Sequence, residues 1–177
     1  LLCQFGKHTV KRSLKPFIPG IGISFVSSND QKGECKTMNT NNYTIKSQEA
    51  LQNAVQIVQS KGQQAIETGH LLKAVMNVGE NVTHFIFNKL GVNSNNLKAA
   101  LDRIVDSYPK VSGGEPYLSS DANRALEKAT RLAQEMGDQY VSLEHILLGL
   151  LDNRDQVAQL MKDSGLNEKE TKEAIIE

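Results

Sequence analysis

Two stretches of this chain match each other at a fixed offset. Val141-Ser142-Leu143-Glu144-His145-Ile146-Leu147-Leu148-Gly149-Leu150 has an echo in Ile66-Glu67-Thr68-Gly69-His70-Leu71-Leu72-Lys73-Ala74-Val75, with His70 and His145 75 positions apart. The same offset pairs Ala50 with Ala125, Leu51 with Leu126, Ala54 with Ala129, Gln59 with Gln134, Gly62 with Gly137, Gln64 with Gln139, Leu72 with Leu147 and Val82 with Val157. A slip of one residue then aligns Gly91 with Gly165, Asn93 with Asn167 and Ala100 with Ala174. The matches fall on apolar positions and on glycines, where a packed fold constrains residue type. Self-similarity at a fixed period marks one structural unit built twice.

Each copy reads as four helices. In the first, Thr44 is a good N-cap, and Leu51, Ala54, Val55 and Val58 recur at helical spacing until Gly62. Glu67 or Thr68 opens a second helix with Leu71, Leu72, Ala74, Val75, Met76 and Val78, apolar enough to be buried. Val82, Phe85, Ile86 and Leu90 form a third, stopped by Gly91, and Leu97, Ala100, Leu101, Ile104 and Val105 a fourth. The second copy repeats this order. Ser119 or Ser120 caps a helix that ends before Gly137, and Ser142 caps the apolar helix. Val157, Leu160 and Met161 precede Gly165, and Asn167 with Glu170 resembles a capping box for the last helix. Helix order is long–short–short–long in both. The expected fold is all-α: two tandem pseudo-symmetric four-helix repeats packed as one domain. Repeat one covers 43–106, a Pro/Gly-rich linker 107–118, and repeat two 119–177. One copy alone has a marginal core; two can share one.

Residues 1–37 stand apart. They carry six Lys/Arg against two acids, whereas the remainder has 14 against 18. Both cysteines, Cys3 and Cys35, lie there. The segment has no sustained period and no apolar run of the ~20 residues that span a bilayer. It is expected to be a poorly ordered leader, non-native or targeting, with the domain over 38–177. The domain contains no cysteine and implies no oxidising compartment. The expected location is cytoplasmic, or organellar if the leader is a transit peptide. The last helix reaches Glu177 without a stop signal, which suggests a longer parent chain.

Catalytic patterns are missing. There is no Gly-x-x-x-x-Gly-Lys-Ser/Thr phosphate cradle, no metal-ligand spacing among the histidines, and no nucleophile triad. Ser112-Gly113-Gly114 reads as linker. His70 and His145 sit at equivalent helix starts and read as ties between helix and loop. Asp138 and Glu144 flank the start of the apolar helix. They read either as complements to its dipole or as the frame of a peptide-binding surface. Arg124, Lys128 and Arg131 share one solvated face, balanced by Glu127 and Glu135, and make no case for nucleic acid.

The paired repeat, Gly137-Asp138-x-Tyr140-Val141-Ser142-x-Glu144-His145-Ile146-Leu147-Leu148-Gly149-Leu150 and Gly165-Leu166-Asn167 closely resemble the Clp N-terminal (Clp repeat) domain of AAA+ unfoldases and disaggregases. Tyr108-Pro109-Lys110-Val111-Ser112-Gly113 and Tyr117-Leu118-Ser119-Ser120 resemble the ClpB-type disaggregase branch. The resemblance implies a non-enzymatic domain that binds unfolded or aggregated polypeptide for threading by ATPase modules outside this chain. It implies a full-length homo-hexamer that uses ATP and Mg²⁺ and works with DnaK-type chaperones, with no cofactor in this chain, no nucleic acid and no membrane partner. The alternative is a stand-alone Clp-repeat module or protease adaptor. Thr44, Asp138 and Glu144 match polar positions implicated in that branch, and Leu132 matches a leucine of its substrate groove. Lys128 and His145 stand where two further groove leucines are expected. Tyr140 joins the candidates as an aromatic on the loop beside Glu144. A related branch reads phospho-arginine with a glutamate in each copy; here the first copy has Gly69, which speaks against a paired site of that kind.

Overall fold

The computed structural model describes residues 40–111 and 114–176. The expectations for the leader, for Met38 as a start and for Ser112-Gly113 lie outside those residues. After a 3-10 turn at Thr40–Asn42, the first copy forms α1 (Ile45–Ser60), β1 (Ala65–Ile66), α2 (Thr68–Val78), α3 (Glu80–Lys89) and α4 (Ser94–Ser107). The second forms β2 (Tyr117–Leu118), α5 (Ser120–Glu135), α6 (Leu143–Leu151), α7 (Gln156–Asp163) and α8 (Glu168–Ile176). The all-α expectation holds, with two short strands added.

The copies correspond down to their caps. The Thr44 side chain accepts from Ser47 N at 3.2 Å, and Ser119 Oγ accepts from Ala122 N at 3.2 Å. Gly62 and Gly137 follow α1 and α5 with φ of 65° and 81°, which favours glycine there. Asn93 and Asn167 each lend a side-chain oxygen to the first turn that follows.

The linker is not free at its ends. β2 pairs in parallel with β1, aligning Ile66 with Leu118. An isolated parallel bridge joins Tyr43 to Val141. These bridges are repeat-equivalent, since Tyr43 and Leu118 share one position and Ile66 and Val141 another. Thr44 N donates to Val141 O at 3.0 Å, as Ser119 N donates to Ile66 O at 3.1 Å. Each copy therefore gives the residues before its first helix to the segment before the other copy's second helix. Tyr43, Ile66, Leu118 and Val141 are all buried, so the crossings lie inside the core rather than over it. Helices α2 and α6 run inward from these bridges, and Leu71, Leu72, Val75, Ile146, Leu147 and Leu150 fill the shared centre.

His70 and His145 perform the tie expected of them. Glu67 N donates to His70 Nδ1 and Ser142 N donates to His145 Nδ1, each at 3.0 Å. The neutral ring then carries its proton on Nε2. His70 Nε2 meets Gln63 Oε1 at 2.8 Å, and Gln63 Nε2 donates to Val105 O at 2.8 Å and Tyr108 O at 3.2 Å. Desolvation, reinforced by Lys61 and Lys73, lowers the His70 pKa to about 4.

Gly149 sets the spacing of α5 and α6. A Cβ there would come within 2.3 Å of Ala125 O and 3.0 Å of Ala129 N.

Two outcomes follow from this packing. Gly149→Ala should lower stability by about 1–3 kcal/mol, because backbone overpacking outweighs the ~1 kcal/mol gain in helix propensity; urea unfolding checks it. The folded state keeps His70 neutral while the unfolded chain protonates near pH 6.5. Its contribution is thus complete above pH 6.5 and lost as pH falls toward 4, a loss on the order of 3 kcal/mol. Gln at this position preserves a capping box, so His70→Gln should flatten the urea midpoint between pH 7 and pH 4.5; an unchanged slope would contradict the assignment.

Candidate functional site

The Tyr43–Val141 bridge gathers four of the five expected site residues around the start of α6. Thr44 follows Tyr43 and is bonded through its backbone to Val141. Its hydroxyl is engaged with Ser47, whose Oγ lies 2.9 Å away, so its demonstrable work is capping α1. Asp138 and Tyr140 lie on the loop from Gly137 to Val141. Tyr140 is 54% exposed. Glu144 occupies the first turn of α6, where the helix dipole favours an acid.

Asp138 stands where the first copy has Gln63. Its carboxylate, 56% exposed, lies 3.2 Å from Nε2 of the buried His145. That nitrogen has no aligned hydrogen-bond acceptor, so with the ring neutral the contact is one of proximity rather than an ion pair. Burial lowers the His145 pKa, while Asp138 and Glu144 oppose the shift. The Gly137–Val141 loop is held by backbone bonds, Asp138 N donating to Ala133 O and Val141 N to Asn42 O, and the carboxylate is left half in water.

Leu132 does not join the group. It is 1% exposed, on the inward face of α5 beside Ala129 and Ala133, and cannot touch a ligand at this surface. The expectation that it contacts substrate is corrected: helical periodicity directs it into the protein with its neighbours. The two positions that depart from the family groove are also accounted for. Lys128 pairs with Asp152 at 2.7 Å, and His145 is the buried cap.

The apolar surface lies on the other flank of Glu144. A depression of about 310 Å³ is lined by Asn81, Val82, Phe85, Ile86, Glu144, Ala174 and Ile175. It shares Asn81 and Val82 with a second, of about 320 Å³, that runs past Glu80 and Leu143 to Lys46. Together they form a groove between α3 and α8 that continues across the start of α6. Phe85 is 57% exposed on its wall, with Lys89 Nζ 5.8 Å from its ring centre. Ile45 and Ile176 are also largely exposed.

Sequence reasoning named Phe85 only among the apolar residues of the third helix and did not find this groove. The signal was present in α3, which carries Val82, Phe85, Ile86 and Phe87. A ten-residue helix with apolar residues so spread cannot bury all of them. Ile86 and Phe87 go inward, and Phe85 faces out. Among the described residues, no three His, Cys, Asp or Glu side chains converge, and no helix is long and apolar enough to cross a membrane.

Comparison with known proteins agrees with this architecture. The family model for the Clp repeat (R) N-terminal domain matches residues 42–164. The chaperone protein ClpB of Bacteroides thetaiotaomicron is 59% identical over 140 residues, covering 79% of this chain and 16% of that protein. Its counterpart in Porphyromonas gingivalis is 52% identical over the same length and coverage. The chain thus spans about a sixth of the length of these relatives. Among solved structures, the Hsp104 N-terminal domain of Candida albicans superposes with a TM-score of 0.67 at 22% identity, covering 77% of this chain and 90% of that one. A ClpV N-domain in complex with a VipB peptide superposes with a TM-score of 0.61 at 16% identity, covering 76% and 84%. The chain belongs to the family of Clp repeat N-terminal domains.

Proposed function

We propose that this domain captures unfolded polypeptide segments in the groove between α3 and α8, beside Glu144, for a ClpB-type disaggregase. The observation that carries the reading is the open apolar wall of Val82, Phe85 and Ile175 next to an ionisable rim. Exposed apolar patches on a soluble domain mark interaction sites. An apolar wall accepts many sequences with modest affinity, which suits a domain that must hand its cargo on. Glu80 and Glu144 add a preference for segments that carry Lys or Arg near their apolar side chains. Thr44, Asp138 and Tyr140 do not line the groove; they would contact the parts of a bound segment that run past Glu144, with exposed Tyr140 as a second apolar contact. A ClpV N-domain that holds a peptide supports the idea that this fold presents a peptide surface.

The rest of the proposal concerns the longer protein that the relatives imply. Its ATPase modules would bind ATP and Mg²⁺, assemble as a six-membered ring in the cytoplasm and work with DnaK-type chaperones on aggregates. The domain itself would contribute binding and no catalysis. The great length of the relatives favours this over a stand-alone adaptor.

Titration with a soluble, permanently unfolded polypeptide, followed by amide NMR, tests the site. Shifts should cluster at Val82, Phe85, Tyr140 and Glu144. Phe85→Ser should weaken binding tenfold or more, if burial of that ring contributes ~1.5–3 kcal/mol, with stability changed by less than about 0.5 kcal/mol. Leu132→Ala should do the reverse, costing about 2–5 kcal/mol of stability with the groove shifts intact. Shifts at α5 alone would overturn the reading.

A further inference from the structure

The repeat relates this groove to a second place on the domain. Val82, Phe85, Ile86 and Glu144 have Val157, Leu160, Met161 and Gly69 as counterparts, at the same 75-residue offset. The second place is filled. Val157 is only 1% exposed, whereas Val82 is half-buried. On its Gly69 side, where the open groove has Glu144, sits Tyr108, the first residue after α4.

Three contacts seat it. A Cβ on Gly69 would stand 2.8 Å from the Tyr108 hydroxyl oxygen and 3.1 Å from its ring. Its ring centre lies 5.1 Å from that of His70. Its backbone carbonyl accepts from Gln63, which His70 holds in turn. Gly69 lies within α2, so its missing side chain serves room rather than an unusual backbone angle. Glycine at 69 and tyrosine at 108 are therefore one device: the glutamate that the second copy carries at this position would collide with the ring. Burial and the neighbouring Glu67 push the Tyr108 pKa up to about 12, so the plug stays neutral. Alongside it, Thr68 bonds to Asp155 where the open groove has Leu143 and Glu80, closing the mirror position with a polar contact.

We propose that Tyr108 is a built-in occupant of a second, symmetry-related apolar groove, which leaves the domain one seat for unfolded polypeptide instead of two. This rests on the groove reading above. It makes Gly69 and Tyr108 the determinants of valency: a domain with one seat releases a segment when that seat empties, whereas two seats would retain it by rebinding.

The test counts bound peptide. The probe is a short synthetic peptide with Phe and Leu flanked by Lys, titrated by calorimetry and mapped by NMR. The wild-type domain should bind one peptide, with shifts at Val82, Phe85 and Glu144 and with the Tyr108 ring signal unmoved at saturation. The double variant Gly69→Glu, Tyr108→Ala should bind two, with a second set of shifts at Gln156 and Leu160 and the two affinities within about tenfold. Two peptides on the wild type, or a displaced Tyr108 signal, would overturn the proposal. So would a double variant of unchanged helicity that still binds one. Should the double variant not fold, Tyr108→Ala carries the same count, and the wild-type readouts decide on their own. Absence of wild-type binding at Val82 and Glu144 would instead sink the groove reading, and a single site gained by the variant would still support the plug.

Discussion

The two crossed bridges are the contact on which the rest of the domain depends. Tyr43 pairs with Val141 and Leu118 pairs with Ile66, so neither copy completes the start of its central helix without the other. Short parallel pairings of this kind hold little energy alone. Their weight comes from place: each is buried, each runs directly into a capped helix, and each fixes where α2 and α6 enter the common core. A four-helix unit with a marginal core becomes one half of an interlocked pair. That interlock also accounts for a linker that looks loose in sequence but is pinned at both ends by Gln63 and by β2.

On this shared scaffold, a few substitutions separate the roles of the two copies. The tie from the buried histidine ends on a neutral amide at Gln63 and on a carboxylate at Asp138. The amide is sequestered and reaches onward to the linker. The carboxylate is half in water and borders a surface. Position 69 is empty for Tyr108, whereas position 144 carries a glutamate beside an open groove. The backbone is duplicated, and the chemistry is kept on one side. Glu144, though not Asp138, borders the apolar wall of α3 and α8.

Much of the fold was legible because duplication doubles each signal. Caps at Thr44 and Ser119, glycines at 62 and 137, and histidines at 70 and 145 each appear twice at one offset, and each has a local physical role. The bridges were not legible, since two-residue strands leave no period to read. Of the groove, the sequence singled out only Glu144. Leu132 misled because a leucine on α5 looks the same in sequence whether it lines a groove or the core; its 3.6-residue phase with Ala125 and Ala129 decides for the core. The exposure of Phe85 was hidden for a related reason, since it lies beside truly buried Ile86 and Phe87. The groove joins residues from α3, α6 and α8 that are up to 94 positions apart, a proximity that only the packing of the two copies creates.

The most direct measurement is a structure of the domain with an unfolded segment bound. That segment should lie between α3 and α8, with an apolar side chain against Val82, Phe85 and Ile175, a basic group near Glu144, and Tyr108 still seated on Gly69. A segment bound along α5, or one that has displaced Tyr108 to occupy the face of Val157 and Leu160, would contradict it.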